Sequence, residues 1–285
     1  MASTRDLRRR IRSVKNTEQM TRAMKIVAAA RLRRAQERIL SARPYAHRMR
    51  HVLRRLAART DTSRHPLLRE RTGERVELLV VTSDRGWCGA FNASIIRQAR
   101  TFLEDHGGER VGLHIVGRKG RDFFRRHGYP IQKTYSDVFR DFSFDRAREI
   151  GQDLIIRFEK AELDAVHIIY NEFKSAIQQD VVVQKLLPLE RFQPAEPGPE
   201  MEYLYEPDPA RLLDVLLPRH VNVQIWAALL ESNAAENGAR MAAMDAATKN
   251  AGELIERLVL QMNRIRQAAI TKEIIEVVSG ADALG

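Results

Sequence analysis

The sequence predicts a mixed α/β fold, in which a long antiparallel coiled coil of the N- and C-terminal helices joins a Rossmann-like domain with a mostly parallel sheet. Apolar residues recur at helical spacing over unusually long runs near both ends, which predicts the coiled coil. Strand-like apolar runs alternate with helical segments in between, which predicts the α/β domain. The expected domains are 1–59, a coiled-coil helix; 60–208, the α/β domain with its flanking linkers; and 209–285, a second coiled-coil helix.

The C-terminal helix is predicted over about 209–278 by two registers of mostly apolar residues. A strict seven-residue repeat on a helix of 3.6 residues per turn favours a left-handed supercoil with a partner. The first register is Leu230, Asn237, Met244, Ala251, Leu258 and Ile265, and the second is Ala234, Met241, Thr248, Ile255, Met262 and Ala269.

The N-terminal helix is predicted from Ser3 or Thr4 to about Ala58, and it supplies that partner. Its apolar positions are Leu7, Ile11, Val14, Met20, Met24, Val27, Leu32, Ala35, Ile39, Ala42, Ala46, Met49, Leu53 and Leu56. Pro44 lies inside the run and predicts a kink or a local break near 41–43. Because both helices return to the domain between them, they can pair only antiparallel.

The middle of the chain contains the predicted sheet. Strands are expected at 76–83, 110–117 and 165–171, with an edge strand at 181–189 that a hairpin connects to its neighbour. Helices are expected at about 92–106, 118–128 and 145–162. The stretch around Tyr135 gives no clear pattern. This alternation is typical of a doubly covered sheet.

Charge is distributed unevenly along the 285 residues. The first 75 residues contain 22 Lys and Arg against 6 Asp and Glu, while the whole chain has a formal net charge of +11. Such a basic region favours an acidic partner, and charge alone does not choose between nucleic acid and an acidic protein. A single cysteine, Cys88, excludes an internal disulfide and a cysteine-based zinc site. No apolar run reaches the ~18 residues that span a bilayer, so no direct membrane insertion is expected.

Two turns have the position of a phosphate loop, between a strand and a helix. One is Asp84–Gly89, and the other contains Gly117 and Gly120. Neither matches a phosphate-binding consensus, so ordinary strand-to-helix turns are favoured over nucleotide binding.

Other chemically suggestive residues also have simpler interpretations. His47 and His51 have a spacing that can hold a metal, but no third ligand accompanies them, so a solvated helix face is favoured. Cys88 is more simply a structural residue than a nucleophile. Glu273 and Glu276 are interpreted as a polar helix face. The sequence therefore predicts no catalytic, cofactor-binding or metal-binding residue.

Three segments resemble the gamma subunit of F-type ATP synthases. They are RRRIRSVKNTEQMTRAMKIVAAA (8–30), SDRGWCGAFN (83–92) and NRIRQAAITKEIIEVVSGA (263–281). The last fits the family signature at Ile270, Thr271, Glu273, Glu276, Gly280 and Ala281. Trp87 departs from the family pattern, which usually has Leu there. With no transit peptide pattern, the resemblance implies a bacterial relative.

The resemblance implies a central rotor shaft with no active site of its own. It would couple ion flow through the membrane sector to ATP synthesis or hydrolysis, by rotating inside a ring of alpha and beta subunits. The implied partners are those two subunits, the epsilon subunit and the c-ring. The implied location is peripheral, on the cytoplasmic face of the bacterial inner membrane.

The resemblance also implies which residues contact a beta subunit. Arg266 and Gln267 match the Arg-Gln of the terminal motif, and Met24 with Lys25 matches the family's segment near the acidic beta lever. A basic nucleic-acid-binding coiled coil is the alternative function, and a nucleotide-dependent enzyme built on 60–208 is a third hypothesis. The nucleic-acid alternative is weaker because the arginines share a helix that already has a partner seam. For the enzyme hypothesis, we expect residues 60–208 alone to show no nucleotide affinity.

Overall fold

The computed structural model describes residues 4–58, 65–190, 192, 206 and 208–282. The chain divides into two compact units, one formed by Met1–Ala28 with Met241–Gly285 and the other by Ala29–Arg240. We call them the end unit and the sheet unit. Two long helices, α1 (Thr4–Ala57) and α5 (Pro209–Asp282), contribute to both units.

Both long helices begin and continue close to where the sequence predicts. Helix α1 begins at Thr4, while Ser3, the other expected cap, lies outside the described residues. Helix α1 continues through Pro44, so the predicted local break there is wrong. At the start of α5, the carboxylate of Asp208 accepts a hydrogen bond from the backbone N–H of Arg211 at 3.0 Å. Pro209 follows as the first helical residue, where a missing N–H has no cost.

Within the end unit, buried positions of α1 follow a stricter period than apolar residue type indicates. Leu7, Thr21 and Ala28 are buried and Val14 is half-buried, so every seventh residue faces inward. Met20 and Val27, which were expected in the seam, are 58% and 51% exposed. The prediction erred by one residue because it preferred large apolar side chains to the small Thr and Ala that a close helix pair accommodates.

Polar contacts across the end unit establish the antiparallel direction. The hydroxyls of Thr21 and Thr248 lie 2.8 Å apart, and Lys25 Nζ lies 2.7 Å from Asp245 Oδ1. As the residue number rises on α1, it falls on α5. The buried hydroxyl of Thr21 also donates to the carbonyl oxygen of Glu18 at 3.0 Å, so its hydrogen-bonding capacity is used and its burial is tolerable.

The predicted C-terminal registers are confirmed over most of their length. Met244 and Ala251 are buried, and the later register positions Ile255, Leu258, Met262 and Ile265 are half-buried. Ala269, the last residue of the second register, is exposed instead. No α1 residue remains to cover it, because the described part of α1 begins at Thr4.

The sheet has the strand order β3-β2-β1-β4-β5. The strands are β1 (Val76–Val81), β2 (Gly112–Val116), β3 (Ile131–Tyr135), β4 (Ala165–Phe173) and β5 (Gln179–Leu187). The first four strands are parallel and β5 pairs antiparallel with β4, which confirms the mostly parallel sheet and its hairpin edge. Strand β3 was missed, since it is a short, mostly exposed edge strand with the sequence IQKTY.

Helices cover both faces of the sheet and bury its apolar residues. They are α2 (Phe91–Asp105), α3 (Arg118–Arg126) and α4 (Phe144–Glu159), with the first part of α5. Leu79 and Val81 face a core that also contains residues of α1, α4 and α5, while Leu78 and Val80 face a core formed largely with α2. A central strand buried on both faces explains why Leu78–Val81 of β1 are all apolar.

The turn from β2 into α3 depends on Gly117. Its φ of +91° and ψ of +147° belong to a region that is essentially restricted to glycine. A Cβ at this position would also overlap the carbonyl oxygen of Thr82. Backbone approach and dihedral angle therefore both require glycine.

We predict that Gly117→Ala lowers the free energy of unfolding by about 3 kcal/mol or more, because strain and overlap add. Gly128→Ala is the matched control. Gly128 also has a positive φ, +75°, but nothing lies within 4 Å of the added methyl group. The control should lose only about 1 kcal/mol. Urea unfolding of both variants checks this, and equal midpoints would contradict the packing argument.

Candidate functional site

The turn after β1 is closed by its own side chains. Asn92 Oδ1 accepts a hydrogen bond from the backbone N–H of Ser83 at 3.0 Å, and Asn92 Nδ2 donates to Cys88 Sγ at 3.2 Å. Cys88 is buried, and this burial raises the pKa of its thiol. A protonated, enclosed thiol is a poor nucleophile, so Cys88 has the structural role that was expected.

The start of α3 has no free amide groups for a phosphate. The backbone N–H of Arg118 donates to Asp84 Oδ1 at 3.1 Å, and that of Lys119 donates to the carbonyl of Ser83 at 3.1 Å. The backbone N–H of Gly120 donates to Thr82 Oγ1 at 2.9 Å. A carboxylate, a carbonyl and a hydroxyl of the protein thus occupy the positions that phosphate oxygens take in a phosphate loop. This favours an ordinary turn, as expected.

Metal binding has little support in the described part of the chain. No group of three or more His, Cys, Asp or Glu side chains there could hold a metal ion. His47 is exposed and His51 is half-buried on α1.

Met24 and Lys25 lie in the end unit and are both half-buried. Lys25 donates a hydrogen bond to Asp245, and this bond lowers the pKa of the Asp245 carboxyl. The Lys25 charge is therefore already partly compensated within the helix pair. A partner protein that contacts Lys25 therefore meets the Lys25–Asp245 ion pair rather than an isolated positive charge.

Arg266 and Gln267 are exposed on α5. They follow Ile265, which is the last half-buried position of the seam. About 21 residues separate Arg266 from Asp245, so some 30 Å of helix lie between them. The four predicted contact residues therefore form two separate patches rather than one site.

Beyond Arg266 lies an exposed apolar surface that the sequence pattern had not predicted. The residues are Ile270, Ile274, Ile275, Val277 and Val278, with exposures between 48% and 72%. Clustered exposed aliphatic side chains of this kind mark a surface that another protein covers. Their place in the sequence, after the last covered seam position, is the feature from which this exposed surface could have been predicted. We call this segment, 266–278, the exposed segment.

Fold and surface together define an assembly subunit, whose long paired helices present contact surfaces to other chains. A sequence model of the family described as ATP synthase matches residues 3–284. The chain is 50% identical over 289 residues to the ATP synthase gamma chain of Anaeromyxobacter sp. (strain Fw109-5), with 100% of both chains covered. It is 48% identical over 284 residues to that of Desulforamulus reducens, again with 100% of both covered.

Solved structures agree with this result. A chain of the Tetrahymena thermophila mitochondrial ATP synthase central stalk and c-ring aligns with a TM-score of 0.61 and 25% identity, covering 80% of this chain and 99% of that one. A chain of the Euglena gracilis mitochondrial enzyme aligns with a TM-score of 0.69 at 18% identity, covering 99% and 94%, which supports the fold.

The chain belongs to the ATP synthase gamma-chain family. It therefore provides the central shaft of that enzyme and is a non-catalytic subunit of it, which confirms both expectations from the sequence. No described helix contains a segment long and apolar enough to cross a bilayer.

Proposed function

We propose that this chain couples ion flow through a membrane sector to ATP synthesis or hydrolysis, by turning inside a ring of alpha and beta subunits. The exposed segment is the observation that supports this best. It is a single helix with aliphatic side chains at about half exposure or more, and its shape suits a surrounding sleeve of other chains.

The end unit supports transmission of torque. Buried, interlocked side chains resist relative sliding of two helices, and Leu7, Ala28, Met244 and Ala251 are buried in this unit. The Thr21–Thr248 hydrogen bond and the Lys25–Asp245 ion pair add directional contacts between them. The ion pair is partly exposed to solvent, which screens it, so its contribution is to alignment more than to stability.

We further propose alpha, beta and epsilon subunits and a c-ring as partners, with a peripheral location on the cytoplasmic face of the bacterial inner membrane. In this proposal 1–59 and 209–285 act as the shaft, and 60–208 contacts epsilon and the c-ring. The basic N-terminal region then binds acidic surfaces of the other subunits by charge complementarity. No observation favours the nucleic-acid alternative.

Arg266 and Gln267 are proposed to contact one beta subunit at a time. Arg266 has no carboxylate within 4.0 Å among the described residues, so its guanidinium is available to a partner. A charge-assisted hydrogen bond from Arg to a carboxylate contributes about 1.5–3 kcal/mol. Such a contact shifts the open–closed balance of a beta subunit by about tenfold or more.

Arg266→Ala with Gln267→Ala should leave assembly intact, but it should lower ATP turnover by up to about tenfold and weaken coupling. The measurement is turnover and rotary torque after reconstitution with alpha and beta subunits. Gln261→Ala with Arg264→Ala is the matched control, because it removes the same residue types from exposed positions on the same helix. Wild-type turnover together with wild-type torque in the first variant would defeat the proposal.

Met24→Lys should impair coupling more than hydrolysis, because it adds a cation next to the Lys25–Asp245 pair, where an acidic beta lever is proposed to pass. Ile26→Lys is the control, since Ile26 is 65% exposed and lies on another side of the helix. The ratio of ion pumping to hydrolysis in membrane vesicles measures coupling. A strictly proportional fall of both activities, or the same ratio in both variants, would rule out a specific role for Met24.

A further inference from the structure

A cavity rich in arginine lies within the sheet unit, at the carboxyl end of its parallel strands. Its volume is about 380 Å³, within the range of small-molecule sites. Asp84 follows β1, Arg118 follows β2 and Asp137 follows β3, and all three line it. This edge is where α/β sheets usually bind their ligands. Six arginines line the cavity: Arg31, Arg34, Arg38, Arg85, Arg118 and Arg140.

Three of these arginines come from one face of α1. Arg31, Arg34 and Arg38 are spaced three and four residues apart, which places them side by side. The guanidinium of Arg38 also lies 5.5 Å from the centre of the Phe142 ring, which restricts its orientation. The cavity wall therefore presents a row of guanidinium groups.

The carboxylates of the cavity are already used by other groups. Asp84 and Asp137 each lie 3.5 Å from Arg118, and Asp84 Oδ1 also accepts hydrogen bonds from the backbone N–H groups of Arg118 and Asp137. Glu236 binds Arg240 at 2.6 Å. Across the described chain, the other five arginines of the cavity have no carboxylate within 4.0 Å. Six arginines and three carboxylates line the cavity, so positive charge is in excess there, and a bound anion would offset it.

We propose that this cavity binds a small polyphosphate, meaning a di- or triphosphate group that is either free or part of a nucleotide. Guanidinium groups match phosphate oxygens in pairs, which makes arginine suited to such anions. The amides at the start of α3 are occupied, so recognition depends on side chains alone. The concave shape and limited volume favour a compact anion over an acidic protein segment.

Isothermal titration of the full chain tests the site, with inorganic triphosphate, pyrophosphate and orthophosphate as probes. Saturable binding is expected, and it should be stronger for triphosphate than for orthophosphate. Arg34→Gln with Arg38→Gln should weaken triphosphate binding by about tenfold or more. Arg9→Gln with Arg12→Gln removes the same charge from exposed positions of α1 and should change it by less than about twofold.

Competition experiments distinguish the source of the phosphate group. ATP that displaces triphosphate and binds more tightly than triphosphate itself indicates a nucleotide, whereas equal or weaker binding of ATP indicates a free polyphosphate. Circular dichroism checks that each variant keeps its helical content. If the α1 variant loses helical content, Arg140→Gln, in the segment before α4, is tested in its place. Absence of saturable binding would overturn the proposal. Equal weakening in the control, or equally tight binding of a glutamate-rich peptide, would also overturn it.

Discussion

The antiparallel pairing of α1 and α5 in the end unit is the constraint on which the functional surfaces depend. Helices of 54 and 74 residues gain most of their stability from a packed face rather than from intrinsic propensity. Every seventh residue of α1 from Leu7 to Ala28 turns inward, and Thr21 and Lys25 join it to α5. This pairing fixes which residues are covered, and it thereby determines where partners can bind.

Where the pairing ends, a different surface begins. Ile265 is the last half-buried seam residue, and from Arg266 onward α5 exposes every residue up to Ser279. The aliphatic side chains there have no covering helix in the described chain, so they need another protein to shield them from water. The same structural boundary thus separates the stiff helix pair from the proposed contact with the ring.

Periodicity and alternation predicted most of the fold, and their errors have identifiable causes. Strands such as β1 were predictable because burial on both faces gives a run of apolar residues, which in β1 is Leu78–Val81. Strand β3 was not predictable from the sequence, because pairing with β2, rather than an apolar run of its own, makes it a strand. Met20 was preferred over Thr21 because side-chain apolarity was given more weight than the seven-residue period. The contact between Thr21 and Thr248 joins residues 227 positions apart, and no local pattern reveals it.

The candidate site was predictable only in part. Arg266, Gln267, Met24 and Lys25 were identified by family resemblance alone, and the Lys25–Asp245 pair depended on a register that the sequence did not specify. The central claim is that the paired helices turn as one body. Thr21→Cys with Thr248→Cys tests it most directly, because the two hydroxyls are 2.8 Å apart. After oxidation, the reconstituted complex should form a disulfide between positions 21 and 248. It should keep its ATP turnover and rotation, as complexes that contain only Thr21→Cys or only Thr248→Cys do. Loss of turnover that a reductant reverses would show that the helices must move relative to each other, and would contradict the account.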